Sequence, residues 1–214
     1  MKRVNVKGGH MKKFPSNKKT EVEGMRDKTI KVELAEAAFL YLNGNGAIVL
    51  DCGDGASHWV VGGSEDGAAG DSLEIVLPEN ATKIGELTIQ PHFTASIHVH
   101  PANPSYCDVD GVLFNKDKTE LIKYPRKNQT SYTVPDSVAV IGDRAFERDE
   151  NLKNIVLPES LVEIGEEAFI HCTALEEVTI PKNAKKIGAE AFAYCESLKK
   201  HDVWRRKYGK SVYN

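Results

Sequence analysis

VPDSVAVIGDRAF at 134–146, LPESLVEIGEEAF at 157–169 and IPKNAKKIGAEAF at 180–192 repeat one pattern at a step of 23 residues. In each, Pro precedes an Ile-Gly pair by six residues, and an Ala-Phe pair begins four residues after the Ile. A short fixed period marks a solenoid, because one supersecondary unit cannot bury its apolar face alone and must stack on the next. Before the Pro, Leu175, Val178 and Ile180 carry the period-2 alternation of a strand with one buried face. Proline ends that strand because it has no N–H for the ladder. Val162-Glu163-Ile164-Gly165 alternates again, and its Gly suits a corner where φ turns positive. The Glu-Glu-Ala-Phe that follows predicts a short helical turn with Phe as the core plug.

The fold class read from this pattern is a leucine-rich-repeat-like solenoid. It has short stacked β-strands, short helical turns, a period of about 23 residues and one inserted β-hairpin. The repeats resemble the BspA-like (Treponema pallidum type) leucine-rich repeats, and DGVLFNKDKTELIKYP at 110–125 is similar to the hairpin insert that interrupts such arrays. That resemblance is specific over 73–204, weaker over 34–72 and absent over 1–30. It implies a right-handed solenoid with roles in protein binding or adhesion, often at a cell surface.

Followed outward, the phase assigns 1–29 to a basic leader, 30–72 to degenerate capping repeats, 73–204 to repeats with the hairpin 110–125, and 205–214 to a basic tail. LKKHDVW at 198–204 reads as a closing strand, with Trp204 in the proline position. Upstream, Ile97-x-Val99 reads as a strand one residue out of step with Pro101, and apolar alternation decides its register because burial does. Val112-Leu113-Phe114, a turn at 115–119 and Leu121-Ile122-Lys123-Tyr124 form the hairpin, whose removal is expected to leave the array folded.

The net charge of −3 conceals segregation: residues 1–20 carry seven Lys/Arg and no acid, whereas residues 21–198 carry 15 basic against 30 acidic side chains. An acidic body speaks against nucleic acid as the partner of the repeats, since phosphate neutralisation needs a basic face. No run of about 18 apolar residues suggests membrane insertion, and the first 20 residues contain no apolar stretch of signal-peptide length, so the chain as written reads as unexported.

No catalytic constellation, cofactor motif or metal site is expected. Cys172 and Cys195 share a phase and read as an interior ladder of free thiols, with a disulfide as the alternative. His98 and His100 fall on one outward face with His92 nearby, a two-ligand arrangement at most. Asp108-x-Asp110-Gly111 and Asn115-x-Asp117 lack the final Glu of a calcium loop and read as turns. Asn80 and Asn128 head glycosylation triplets that matter only in a secreted eukaryotic protein. Asp54, Ser57 and His58, among the glycines of 40–70, support only a weak hydrolase reading.

Binding surface is the stronger expectation. In a solenoid, outward positions of equal phase line up, giving one row of Val76, Thr133, Val156 and Thr179 beside another of Glu74, Ser131, Asn154 and Glu177. The plainer reading of both rows is an ordinary solvated sheet. Phe114 and Tyr124 of the hairpin form a second candidate contact. The partner is expected to be a protein, basic in preference to acidic. A cytosolic scaffold is the alternative to an adhesion module.

Overall fold

The computed structural model describes residues 93–199 continuously, together with Glu79, Ile84, Val212 and the strands given by range below. The chain divides into two compact units, Met1–Gly111 and Val112–Asn214.

The first unit contains β1 (Val22–Glu23), β2 (Thr29–Glu33), β3 (Leu40–Tyr41), β4 (Ile48–Leu50), β5 (His58–Val61), β6 (Asp71–Leu77), β7 (Glu86–Ile89), β8 (Phe93–Val99) and β9 (Tyr106–Val109). β2, β6 and β8 run parallel, with β1 antiparallel at the edge. Ile75 pairs with Ile97 and Leu77 with Val99. The step there is one residue short of 23, so apolar burial and not the position of Pro101 sets the register. In the second sheet, β3, β4 and β5 form an antiparallel meander and β7 adds in parallel to β5. The long connection between β2 and β6, expected to hold degenerate coils, therefore includes antiparallel pairs. The leader's remaining residues, most of the 42–57 segment and Trp204 lie outside the described residues.

The second unit contains β10 (Val112–Asn115), β11 (Glu120–Lys123), β12 (Ser131–Thr133), β13 (Val140–Ile141), β14 (Asn154–Val156), β15 (Glu163–Ile164), β16 (Glu177–Val178) and β17 (Lys186–Ile187). β12, β14 and β16 stack in parallel as one sheet, and β11, β13, β15 and β17 as another. Ile155 pairs with Val178, and Ile141 with Ile164 and then Ile187. Each pairing is a 23-residue step, so the sequence period is the length of one coil. The proline makes the corner between the sheets: the carbonyls of Pro135, Pro158 and Pro181 accept from the N–H groups of Val138, Leu161 and Ala184 at 3.0–3.1 Å.

The glycines after Ile164 and Ile187 are demanded by space. Gly142, Gly165 and Gly188 do not have positive φ, contrary to the reading from sequence. A Cβ on Gly165 would instead lie 2.7 Å from the Asp143 backbone nitrogen, and one on Gly188 would lie 2.6 Å from Glu166 Cα. Successive coils approach too closely there for any side chain.

The expected helical turn takes a different form. Arg144, Arg148, Glu167, His171, Glu190 and Tyr194 all have φ between 51° and 59°. Left-handed residues at two fixed phases stop a helix from propagating. They leave every second N–H pointing at the next coil: Arg144, Phe146 and Arg148 donate to the carbonyls of Glu166, Ala168 and Ile170 at 2.7–2.9 Å. Glu167, Phe169 and His171 repeat the pattern one coil later. This third ladder satisfies backbone groups that a corner would otherwise leave open. It reaches Val212, whose carbonyl accepts from Phe192 at 2.9 Å and whose side chain is fully buried. Val212, within the stretch read from sequence as a basic tail, thus extends the ladder one step past Phe192.

Inside, Tyr124, Phe146, Phe169 and Phe192 form an aromatic column with centroid spacings of 4.9, 4.8 and 5.0 Å and interplanar angles of 22°, 11° and 3°. The spacing is the strand-to-strand distance of a stacked sheet. The hairpin is part of this core. β10 and β11 pair antiparallel as expected, but β11 also pairs in parallel with β13, Leu121 opposite Ile141. Phe114 and Tyr124 are 0% and 1% exposed. Removing 110–125 would therefore take away the first rung of the array.

Candidate functional site

The outer face of β12–β14–β16 follows from strand alternation. Tyr132, Ile155 and Val178 turn toward the core, and their neighbours turn out. Ser131, Asn154 and Glu177 are register partners, as are Thr133 and Val156; all five are exposed, and so is Thr179. Val156 is 58% exposed, a large apolar side chain facing solvent. Exposed ion pairs lie at the start of these strands, Lys153–Glu176 at 3.9 Å and Lys199–Glu177 at 3.8 Å. Such pairs contribute roughly 0–1 kcal/mol each, so they shape the surface potential more than the fold. Glu74 and Val76, predicted in the same rows, lie on β6 of the first unit, opposite Ser96 and His98. Phe114 and Tyr124, the other candidate contact residues, are both buried, Tyr124 at the end of the aromatic column, so neither presents a surface to a partner.

The turn face carries rows that reading the sequence does not single out. Arg144 donates to Glu167 through Nε and Nη2 at 2.8 and 3.0 Å. The bidentate bond holds the Glu167 carboxyl below its ordinary range and raises the guanidinium. One phase on, His171 and Tyr194 stack at 4.4 Å with 7° between their planes, and Tyr194 is 59% exposed. The 23-residue step from His171 to Tyr194 is the signal the sequence holds for this pair.

An interior row also repeats at that step: Arg126, Asp149, Cys172 and Cys195. All four are buried. Asp149 Oδ1 accepts from the N–H groups of Asn151 and Leu152 at 2.9 and 3.0 Å, yet burial still pushes its carboxyl up. The two cysteines are free, in line with the interior ladder expected of them. Nearby, Lys123 Nζ donates to the Arg144 carbonyl at 2.7 Å and lies 3.9 Å from Glu147 Oε2. Burial outweighs the Glu147 charge and lowers the Lys123 ammonium to about 8. On the β11–β13–β15–β17 face, burial and the charges of Asp143 and Glu163 raise the Glu120 carboxyl.

In the first unit the two histidines of β8 and its end part company. His98 faces Ser96 and Asp108, with Ser96 Oγ 3.1 Å from His98 Nε2 and Asp108 Oδ2 4.0 Å from His98 Nδ1. His100 Nδ1 accepts from the Ala102 N–H at 3.2 Å and stands 3.9 Å from Glu79. Among the described residues no three His, Cys, Asp or Glu side chains are arranged to hold a metal ion. Asp54, Ser57 and Cys52 lie outside the described residues, and for His58 only its place on β5 opposite Glu86 is described. Among the described residues no helix is long and apolar enough to cross a membrane.

Residues 123–209 match the model of the BspA type leucine rich repeat region, in six copies. A leucine-rich repeat protein from Eubacterium ventriosum is similar over 59% of this chain and 35% of its own, with 32% identity and a TM-score of 0.52. The pneumococcal vaccine antigen PcpA shares 29% identity over 60% of this chain and 38% of its own, with a TM-score of 0.48. The Treponema pallidum leucine-rich repeat protein shares 19% identity over 84% of this chain and 55% of its own, with a TM-score of 0.35. The chain thus spans a little over a third of the length of the first two. No curated protein matches it.

Proposed function

We propose that the chain, whose residues 123–209 match the BspA type leucine rich repeat model, is a module that binds another protein through the outer face of β12–β14–β16. The observation that carries this reading is the alignment of Ser131, Asn154 and Glu177 beside Thr133 and Val156. Parallel pairing fixes the backbone that carries these side chains before any partner arrives, so little backbone ordering opposes binding. An exposed apolar residue with a polar border has the anatomy of a small contact patch. The excess of acidic side chains over 21–198 favours a basic partner and speeds its approach at low salt. Adhesion at a bacterial surface is the finer reading, and it rests on the resemblance of the repeats. Binding, not turnover, is the role assigned to this face.

A second reading has its own observation. Cys172 and Cys195 are buried thiols not joined in a disulfide, which suits a reducing compartment and a cytosolic scaffold. One experiment addresses both. The intact chain and a Val156→Asp variant are used to recover partners from bacterial and host extracts under matched conditions. The reading requires a partner retained by the intact chain and lost by the variant, and the source of that partner distinguishes adhesion from scaffolding. Equal recovery by both proteins would overturn it.

A further inference from the structure

We propose that Ser96 is an activated nucleophile, a hydroxyl poised to accept an acyl group from an activated ester. It belongs to the first unit, whereas the proposed binding face belongs to the second. β8 alternates, so Ala95 and Ile97 are buried while Ser96 and His98 face outward, two residues apart. That spacing brings Ser96 Oγ to 3.1 Å from His98 Nε2, within the reach of a nucleophile–base pair. The other ring nitrogen, His98 Nδ1, faces Asp108 Oδ2 at 4.0 Å. A carboxylate on that side favours the tautomer with the proton on Nδ1, which leaves Nε2 free to accept from Ser96. Serine, imidazole and carboxylate are thus in relay order, recognised by geometry and not by sequence position.

Asp108 is itself fixed. Its Oδ1 accepts from the Val99 N–H at 2.7 Å, tying β9 to the end of β8. The return from β9 is pinned beside the nucleophile: the Gly111 carbonyl accepts from the Ile97 N–H at 2.9 Å, and a Cβ on Gly111 would lie 2.9 Å from Ser96 Cβ. A glycine with φ 75° at that point lets the chain pass close enough to hold all three groups on one surface. His98 is half exposed, so the pair is open to a reagent from solvent.

In the proposed step, Ser96 Oγ bonds to the carbonyl carbon as its proton passes to His98 Nε2. The ester C–O bond then breaks and the leaving oxygen takes that proton from His98. Water, deprotonated by the same nitrogen, later releases the acid and restores Ser96. A positioned general base contributes roughly 10²–10⁴-fold, so the chemistry suits activated acyl esters.

The test treats the full chain with 4-nitrophenyl acetate and, separately, with a fluorophosphonate, and locates adducts by mass spectrometry. Wild-type protein should carry one adduct, on the peptide containing Ser96, and Ser96→Ala should carry none there. His98→Gln should slow labelling at least tenfold. Asp108→Asn, which keeps an acceptor for the Val99 N–H, should slow it by a smaller factor. Thermal melts of each variant check that the unit is folded. Wild-type labelling at other residues only, or an unchanged rate in folded His98→Gln, would overturn the proposal.

Discussion

The Cys172 thiol donates to the carbonyl oxygen of Phe146, 3.1 Å away in the preceding coil, and Cys195 repeats the bond to Phe169 at the same distance. Each thiol thereby ties one coil to the one before it and is held away from solvent. Burial, reinforced by Cys195, pushes the Cys172 thiol well up, so little thiolate forms near neutral pH. Both cysteines should resist a thiol-reactive maleimide in the native protein and react once it is unfolded in guanidinium. Modification of native Cys172 near neutral pH as fast as in denaturant would contradict this packing.

The aromatic column sets the largest single-residue effect. Phe169 lies between Phe146 and Phe192 and is fully buried. Phe169→Ala should cost roughly 3–5 kcal/mol in denaturant-induced unfolding, since the coils on either side are tied by hydrogen bonds and cannot collapse into the gap. A loss below about 1 kcal/mol would mean that the column is not the core.

Lys123 gives the array a pH dependence of defined sign. Its folded-state pKa is about 8, against an ordinary lysine value of 10.5. Between those values the unfolded chain binds a proton that the folded chain does not, so stability rises with pH through that window. Each pH unit of the window is worth about 1.36 kcal/mol, so the full rise over the window of about 2.5 units is at most about 3.4 kcal/mol. Burial raises the Tyr124 phenol, which acts in the opposite direction above its ordinary range near 10. Comparing wild type with Lys123→Met cancels the tyrosine. Chemical unfolding from about pH 7.5 to about pH 10 should show the rise relative to the variant. Parallel curves would mean that Lys123 does not set the pH dependence.

The parts of the fold legible in sequence are those repeated at constant phase. Pro158, Ile164 and Phe169 recur at 23 residues because identical coils bury identical positions. Phe114 and Tyr124 look like contacts in sequence because the step shortens at the first rung, where Leu121 pairs with Ile141 only 20 residues later. Arg126 and Asp149 occupy the cysteine phase with different chemistry, and a search by residue type does not connect an arginine to a thiol. Ser96 and His98 share a strand face that alternation predicts. Asp108 joins them only through the return strand β9, and a contact made by chain reversal leaves no period to read. The helical turn is illegible for a related reason: Glu167 and His171 are ordinary helix residues, and the ladder between coils forces them left-handed.

Whether the β12–β14–β16 face meets the partner is measured most directly by site-directed photocrosslinking. A photoreactive amino acid is placed at Val156 in one protein and at exposed Lys186, on the other sheet, in a second. Each is irradiated with the partner recovered by the intact chain. Binding through this face predicts a covalent complex from position 156 at least tenfold more abundant than from 186. Equal yields, or crosslinking from 186 alone, would contradict it.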